Sequence, residues 1–268
     1  MSVLRRFGAA VGAVVQRDAA LYFSYRMGFF TQCFSAIFSV TLFYYMSRLV
    51  TVESFSPDRY FEYVVVGLVI LQAVTGTVAM LPIGVRQELV AGTFERLVLS
   101  PFGAVAAVLS MIVFPFLRAV ALGVVMVLFA IVAFDLRLEW PGALLALPAA
   151  ALGALAFTPF SLMFTASVFA FKQAPGTGMM LAAISLLAGL YFPVALLPDW
   201  IEWTSQIQPF TPAVDLLRHL LVGTEIGSSA GLEFVRLMGF AVLLLPVSIL
   251  CMNAALRFGQ RRGTVTEF

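Results

Sequence analysis

Apolar residues run along this chain in long blocks separated by short polar segments. Six blocks approach or exceed the roughly 20 residues that cross a bilayer as a helix: 29–49, 63–85, 115–134, 142–171, 179–197 and 234–256. The fourth is over-long and holds Pro148 and Pro159, which predicts a tilted or kinked helix. Ahead of the first block, Gln16, Arg17 and Asp18 interrupt a small-residue stretch that follows Arg5 and Arg6. This lacks the clean apolar core and cleavage site of a secretory signal. It predicts an interface helix over 1–27 lying on the membrane surface, with Arg5, Arg6, Arg17 and Arg26 near headgroups. The expected fold is all-α and polytopic, a single transmembrane domain over 1–268.

Arginine bias in the short loops sets the orientation. With the amino end inside, Arg5, Arg6, Arg17, Arg26, Arg86, Arg96, Lys172, Arg257, Arg261 and Arg262 collect on one side. The other side holds Arg48, Arg59, Arg137, Arg218 and Arg236, interleaved with acidic residues. Both termini are therefore expected in the cytoplasm. The longest polar connection, 198–233, is too short and too apolar for a separate soluble domain. Ser100 and Pro101 form a helix-start signal, a cap followed by a residue with no amide to leave unpaired. They predict a surface-lying helix leading into the third span. Arg118 then sits near the inner end of that span and snorkels; held mid-membrane it would instead mark a functional site.

Composition agrees with the pattern. Of 268 residues, 62% are hydrophobic and 11% charged, against roughly a quarter charged in ordinary domains. Mean hydropathy is +1.01, so lipid is the solvent for most of the chain. A net charge of +2 is too small to suggest nucleic acid. Cys33 and Cys251 lie in apolar runs and read as small buried hydrophobes, not a disulfide or metal pair. No G-x-x-x-x-G-K-[S/T] phosphate loop occurs, and the only lysine, Lys172, lacks flanking glycines. The chain is therefore expected to be no enzyme and to hold no cofactor or metal itself. Ion-coupled carriers usually need carboxylates or histidines inside the spans, and the span interiors hold essentially none. His219, the sole histidine, stands four residues after Asp215 with no nucleophile beside the pair, which argues against an intramembrane enzyme.

One polar segment, 86–101, stands out against this background. Gly92 suits the end of one short helix and Thr93 the start of the next. Glu88 and Glu95 are seven residues apart, one face of a helix if it is unbroken. Leu89, Phe94 and Leu97 supply apolar contacts. On periodicity alone the segment reads equally as a loop resting on headgroups.

Its pattern, Glu88-x-x-x-Gly92-Thr93-Phe94-Glu95-x-Leu97-x-x-Ser100-Pro101, resembles the E-x-x-x-G-T-L-E-x-L-x-x-S/T-P signature of ABC-2 type transporter permeases. Phe94 stands where leucine is more usual. A second stretch, Tyr191-Phe192-Pro193 through Leu197-Pro198-Asp199-Trp200, then Pro209-Phe210-Thr211-Pro212 and Asp215 to Arg218, resembles the proline-rich run between the fifth and sixth spans of that family. The resemblance covers nearly the whole chain.

The resemblance implies a cytoplasmic coupling helix over 86–100 between the second and third spans, docked in a groove of a separate ABC ATPase. Arg86, Glu88, Leu89, Gly92, Thr93, Phe94, Glu95 and Leu97 are its expected coupling residues. Glu88 and Glu95 would pair with basic residues of the ATPase, and Phe94 and Leu97 would fill its groove. It also implies a short re-entrant helical hairpin over 198–223 on the outer side, carrying Pro193, Pro198, Trp200, Pro209 and Arg218. Trp200 and Trp203 suit an interface, and Val214, Leu217 and Leu221 give an apolar helical stripe. The expected assembly is two permeases, most simply a homodimer, with two ATPase subunits that bind ATP and Mg, in a bacterial or archaeal inner membrane. The family's direction is export.

The path is less sharply written. Polar and aromatic residues on the first, second and fourth blocks read as inter-helix packing by small polar side chains or as the lining of a slot. For the latter, Phe30, Phe34, Phe38, Gln72, Thr75 and Phe192 are the candidates. The expected cargo is an amphiphile: a hydrophobic drug, lipid or glycolipid. Arg17-Asp18 through Arg26 matches only partly the basic run of lipid-linked polysaccharide exporters in the family, the alternative reading. An ion-coupled carrier or channel is a rival from another class.

Overall fold

The computed structural model describes residues 3–49, 56–94, 96, 104–171, 176–224 and 229–261, and the described residues contain helices and turns but no strand. The helices are α1 (Val3–Ser24), α2 (Arg26–Leu49), α3 (Pro57–Val74), a π-helical turn (Thr75–Ala79), α4 (Met80–Val90), α5 (Ala104–Ser110), α6 (Val113–Phe134), α7 (Trp140–Phe171), α8 (Thr177–Leu187), a 3-10 turn (Val194–Leu196), α9 (Asp199–Gln206), α10 (Phe210–Val222) and α11 (Ala230–Arg261). Among the described residues, five helical stretches are long and apolar enough to cross a membrane: Met27–Leu49, Pro57–Val90, Val105–Phe134, Trp140–Phe169 and Ala230–Gly259.

Local chemistry sets the helix ends. Ser56 accepts the Arg59 amide at 3.5 Å at the start of α3, where Pro57 needs no amide partner. Asp135 takes a left-handed conformation (φ 60°) after α6, so its amide reaches the Ile131 carbonyl and the Leu136 amide reaches that of Ala130. α1 and α2 are separate helices, broken at Tyr25. α5 precedes α6 across a turn at Met111 and Ile112. Residues 97–103, including the Ser100 and Pro101 start signal, lie outside the described residues. α7 runs unbroken through Pro148 and Pro159.

The run α3–π–α4 is the axis of the bundle, with α2 and α6 on one side and α7, α10 and α11 around the other. In lipid, helices gain by close packing rather than by leaving water. α7 accordingly presents the buried small residues Ala146, Ala149, Gly153 and Ala156 towards α10 and α11. Threonine hydroxyls on the first, second and fourth apolar blocks are spent on their own helices: Thr31, Thr41, Thr75, Thr158 and Thr165 each donate to the carbonyl four residues back. Ser161 reaches across instead, to the Val78 carbonyl at 3.4 Å. This favours the packing reading of those positions over a polar lining.

The fifth apolar block is the departure from expectation. It forms only the 11-residue α8, too short to span. At Gly189 the chain turns into a left-handed conformation (φ 70°), and the freed carbonyls of Gly189 and Leu190 are taken up by side chains from other helices. A 19-residue apolar block shows length but not where tertiary contacts stop a helix.

Candidate functional site

Two side-chain constellations stand at opposite ends of the bundle. The first lies at the end that carries the start of α1 and the close of α11. α4 stops at Ala91, and Gly92 (φ 68°) reverses the chain: its amide donates to the Leu89 carbonyl (3.1 Å) and the Thr93 amide to that of Glu88 (3.0 Å). Glycine is the residue that enters this conformation without strain. The Thr93 hydroxyl donates back to the Glu88 carboxylate. Arg17 Nη1 of α1 binds the same carboxylate at 3.0 Å, while its Nη2 holds Asp18 at 2.8 Å. Glu88 thus ties α1 to the turn after α4 through charge-assisted bonds. Arg17 is two-fifths exposed, so solvent screens the pair and its net worth is about 1 kcal/mol.

Phe94 corrects the expectation of a plug filling a partner's groove. Its side chain is 1% exposed and packs on Phe169 of α7 at 5.2 Å between ring centroids, among Leu81, Val85, Leu89 and Leu162. An apolar ring beside α4 finds more contact inside the bundle than outside it. Glu88 likewise faces α1 rather than outwards. The side chains left facing out here are Arg86, Gln87, Val90 and Arg96. Of the expected coupling residues, Glu88, Leu89, Gly92, Thr93 and Phe94 come together; Arg86 stands on the exposed face; Glu95 and Leu97 lie outside the described residues.

The second constellation is at the far end, where α9 and α10 form a helical hairpin. The stripe Val214, Leu217 and Leu221 is buried, as its spacing predicts. Pro193 and Pro198 flank the 3-10 turn, Pro209 leads into α10, and Trp200 and Trp203 are exposed on α9. Arg218, 2% exposed, is the hub. Nη2 donates to the Leu190 carbonyl at 2.9 Å, and Nε and Nη2 to that of Tyr63 at 3.3 Å. Its guanidinium lies 3.3 Å from the Tyr63 ring centroid, and the Tyr63 hydroxyl donates to the Gly189 carbonyl at 3.0 Å. One arginine and one tyrosine thereby cap the break after α8 and fasten the hairpin to α3. Gly67 permits the approach: a Cβ there would overlap the Leu190 carbonyl. Burial pulls the Arg218 guanidinium down to about 10, so it stays charged at neutral pH, and burial pushes the neighbouring Asp215 carboxyl up to about 6. His219 turns away, its Nδ1 3.0 Å from the Thr224 carbonyl oxygen.

The path candidates are not drawn together within the chain. Phe30, Phe34 and Phe38 are exposed along α2, with Phe34 and Phe38 stacked at 6.3 Å. Gln72, Thr75 and Phe192 are half-buried elsewhere. Arg118 stacks on the Tyr22 ring of α1 at 5.1 Å. The sequence reading did not single out Arg17, Tyr63, Gly67 or Phe169 as site residues. The sequence pointed to the far-end hub only through Arg218, named by the family resemblance in the proline-rich run.

Comparison with known proteins places the chain among transporters. The ABC-2 type transporter family matches residues 9–222. Nodulation protein J of Sinorhizobium fredii (strain NBRC 101917 / NGR234) is 30% identical over 116 residues, 41% of this chain and 42% of that protein. Nodulation protein J of Rhizobium meliloti (strain 1021) is 30% identical over 110 residues, 39% and 40% of the two chains. The chain thus matches about two-fifths of the length of these relatives.

Proposed function

Because this chain belongs to the ABC-2 type transporter family, a transmembrane permease subunit rather than an ATPase, we propose that it is the permease of an ATP-driven exporter of an amphiphile. The termini face the cytoplasm, and a separate ABC ATPase docks against the Gly92 turn. Two copies of the permease pair around the route. The observation that carries the reading is the Glu88 carboxylate, bound at once by Arg17 of α1 and Thr93 of the turn.

Mechanically, the turn is anchored inwards through Phe94 on Phe169 and sideways through Glu88 on Arg17. A push on Arg86, Val90 and Arg96 therefore reaches α7 and α1 together. α1 touches α5, α6 and α2, and α7 packs on α11 and α10, so the displacement arrives at the far-end hairpin through rigid helices. Movement there would open the route outward. Purification supplies the test. An ATP-hydrolysing subunit should come down with the chain, and Glu88→Gln should leave it bound while uncoupling its turnover from an added amphiphile such as a short-chain glycolipid. Unaltered stimulation in that variant contradicts the linkage.

A further inference from the structure

Tyr22 of α1 is the meeting point of three helices. Its hydroxyl donates to the Gln32 Oε1 of α2 at 2.8 Å. Its ring meets Phe29 of α2 and Phe114 of α6 edge to face, at 6.3 and 5.7 Å between centroids. Arg118 of α6, one turn beyond Phe114, lays its guanidinium over the same ring at 5.1 Å. A ring face attracts the charge and leaves the N–H donors of the guanidinium to find acceptors elsewhere. Among the described residues they find none: Arg118 is half-buried yet forms no hydrogen bond or ion pair. The Gln32 amide nitrogen, beside the oxygen that takes the Tyr22 hydroxyl, has no acceptor among them either. Asp18 and Glu88, the described carboxylates at this end, are both held by Arg17.

Depth decides what can fill these donors. Counted back from Phe134 at the far boundary, Arg118 lies about 24 Å along α6. That puts it at the near edge of about 30 Å of hydrocarbon, where an uncompensated charge is costly. Its neighbour Leu117 and the Tyr22 neighbours Leu21 and Phe23 are exposed, so the donors open among apolar side chains. A free phosphate would have to leave water to reach them. A zwitterionic phospholipid carries its own cation beside the phosphate and leaves the Arg118 charge uncompensated. A net-anionic phospholipid supplies phosphate oxygens at headgroup depth, balances the charge and lays its acyl chains over Leu21, Phe23 and Leu117.

We propose that Arg118 and Gln32, set by the Tyr22 ring between them, bind the phosphate of a net-anionic phospholipid at the junction of α1, α2 and α6. The lipid is a resident ligand from the leaflet on the side of the Gly92 turn. The guanidinium fork takes phosphate oxygens and the Gln32 amide adds a neutral donor. α1 is then held to the bundle at two points little more than a turn apart, at Arg17 by Glu88 and at Tyr22 by the lipid. The inference needs the chain to lie in a membrane and is independent of what the transporter carries.

Native mass spectrometry of the full chain, delipidated in mild detergent, tests it with three probes: dioleoyl phosphatidylglycerol, dioleoyl phosphatidylcholine and glycerol 3-phosphate. The expected result is a saturable phosphatidylglycerol adduct, at least about tenfold tighter than phosphatidylcholine, with glycerol 3-phosphate not retained. Arg118→Gln should erase that preference. Gln32→Leu should weaken phosphatidylglycerol by about threefold to tenfold. Arg48→Gln, which removes a guanidinium bound to Asp58 at the far end, should bind both lipids as the parent does. Equal affinity for the two lipids in the parent, an undiminished preference in Arg118→Gln, or an equal loss in Arg48→Gln overturns the proposal. So does glycerol 3-phosphate retained as strongly as phosphatidylglycerol, which would mark a site for free phosphate. If Arg118→Gln does not fold, Gln32→Leu decides in its place, and unchanged affinity there overturns the proposal.

Discussion

Replacing Arg218 by methionine removes the hub of the far-end hairpin while keeping an unbranched chain in its place. The short bond to the Leu190 carbonyl and the bifurcated longer pair to that of Tyr63 amount to about two charge-assisted hydrogen bonds, roughly 1.5–3 kcal/mol each. Part of that is returned because methionine need not be desolvated as a cation. Burial pulls the guanidinium down to about 10, the mark of a desolvation cost on the cation that methionine does not carry. The Leu190 carbonyl, outside any helix, is left without its donor at a further cost of about 1–3 kcal/mol. With the cation's desolvation offsetting part of the loss, the destabilisation is on the order of 2–4 kcal/mol. At about 2–4 °C per kcal/mol for a chain of this size, the midpoint in a fluorescence-detected thermal melt of the detergent-purified protein should fall by about 4–16 °C. Arg218→Lys should recover less than half, since an ammonium cannot reproduce the two-carbonyl fork. A methionine variant melting within about 1 °C of the parent would refute the capping role.

Phe94→Ala should destabilise by about 3–5 kcal/mol through the space it empties against Phe169, read as a lower melting midpoint; an unchanged midpoint means the ring faces outward after all. Gly67→Leu drives a side chain into the Leu190 carbonyl and should lower yield and stability by at least about 1–3 kcal/mol, which size-exclusion profiles of the purified variant check. The Asp215 carboxyl is raised from 3.8 to about 6, so between those values the folded chain binds more protons than the unfolded one. Stability should therefore fall as pH rises through about 4 to 6, by about 1–2 kcal/mol after allowance for its part exposure; melts at pH 5 and pH 7 should differ less in Asp215→Asn.

The sequence reads well where a single helix decides the outcome. Five of the apolar blocks each overlap one of the long apolar helices among the described residues, and the third closes at Phe134 as expected, but the second and third helical stretches begin at Pro57 and Val105 rather than at 63 and 115. Gly92 and the Val214–Leu217–Leu221 stripe behave as local rules require. It reads poorly where partners are remote. Tyr63 stops the helix after α8 from 126 residues away, and no periodicity in 179–197 announces it. Arg17 and Glu88 meet only because α1 folds back beside the end of α4. Phe94 lies in a segment too short and too broken to carry a helical phase, so its inward direction depends on Phe169.

The central claim is that the Gly92 turn is the surface on which a separate ATPase acts. A photoreactive side chain at Val90, exposed on that turn, should form a covalent adduct with a co-expressed nucleotide-hydrolysing subunit, and one at Leu196, exposed at the far end, should form none. An adduct from Leu196, or none from Val90 in a complex that hydrolyses ATP, contradicts the account.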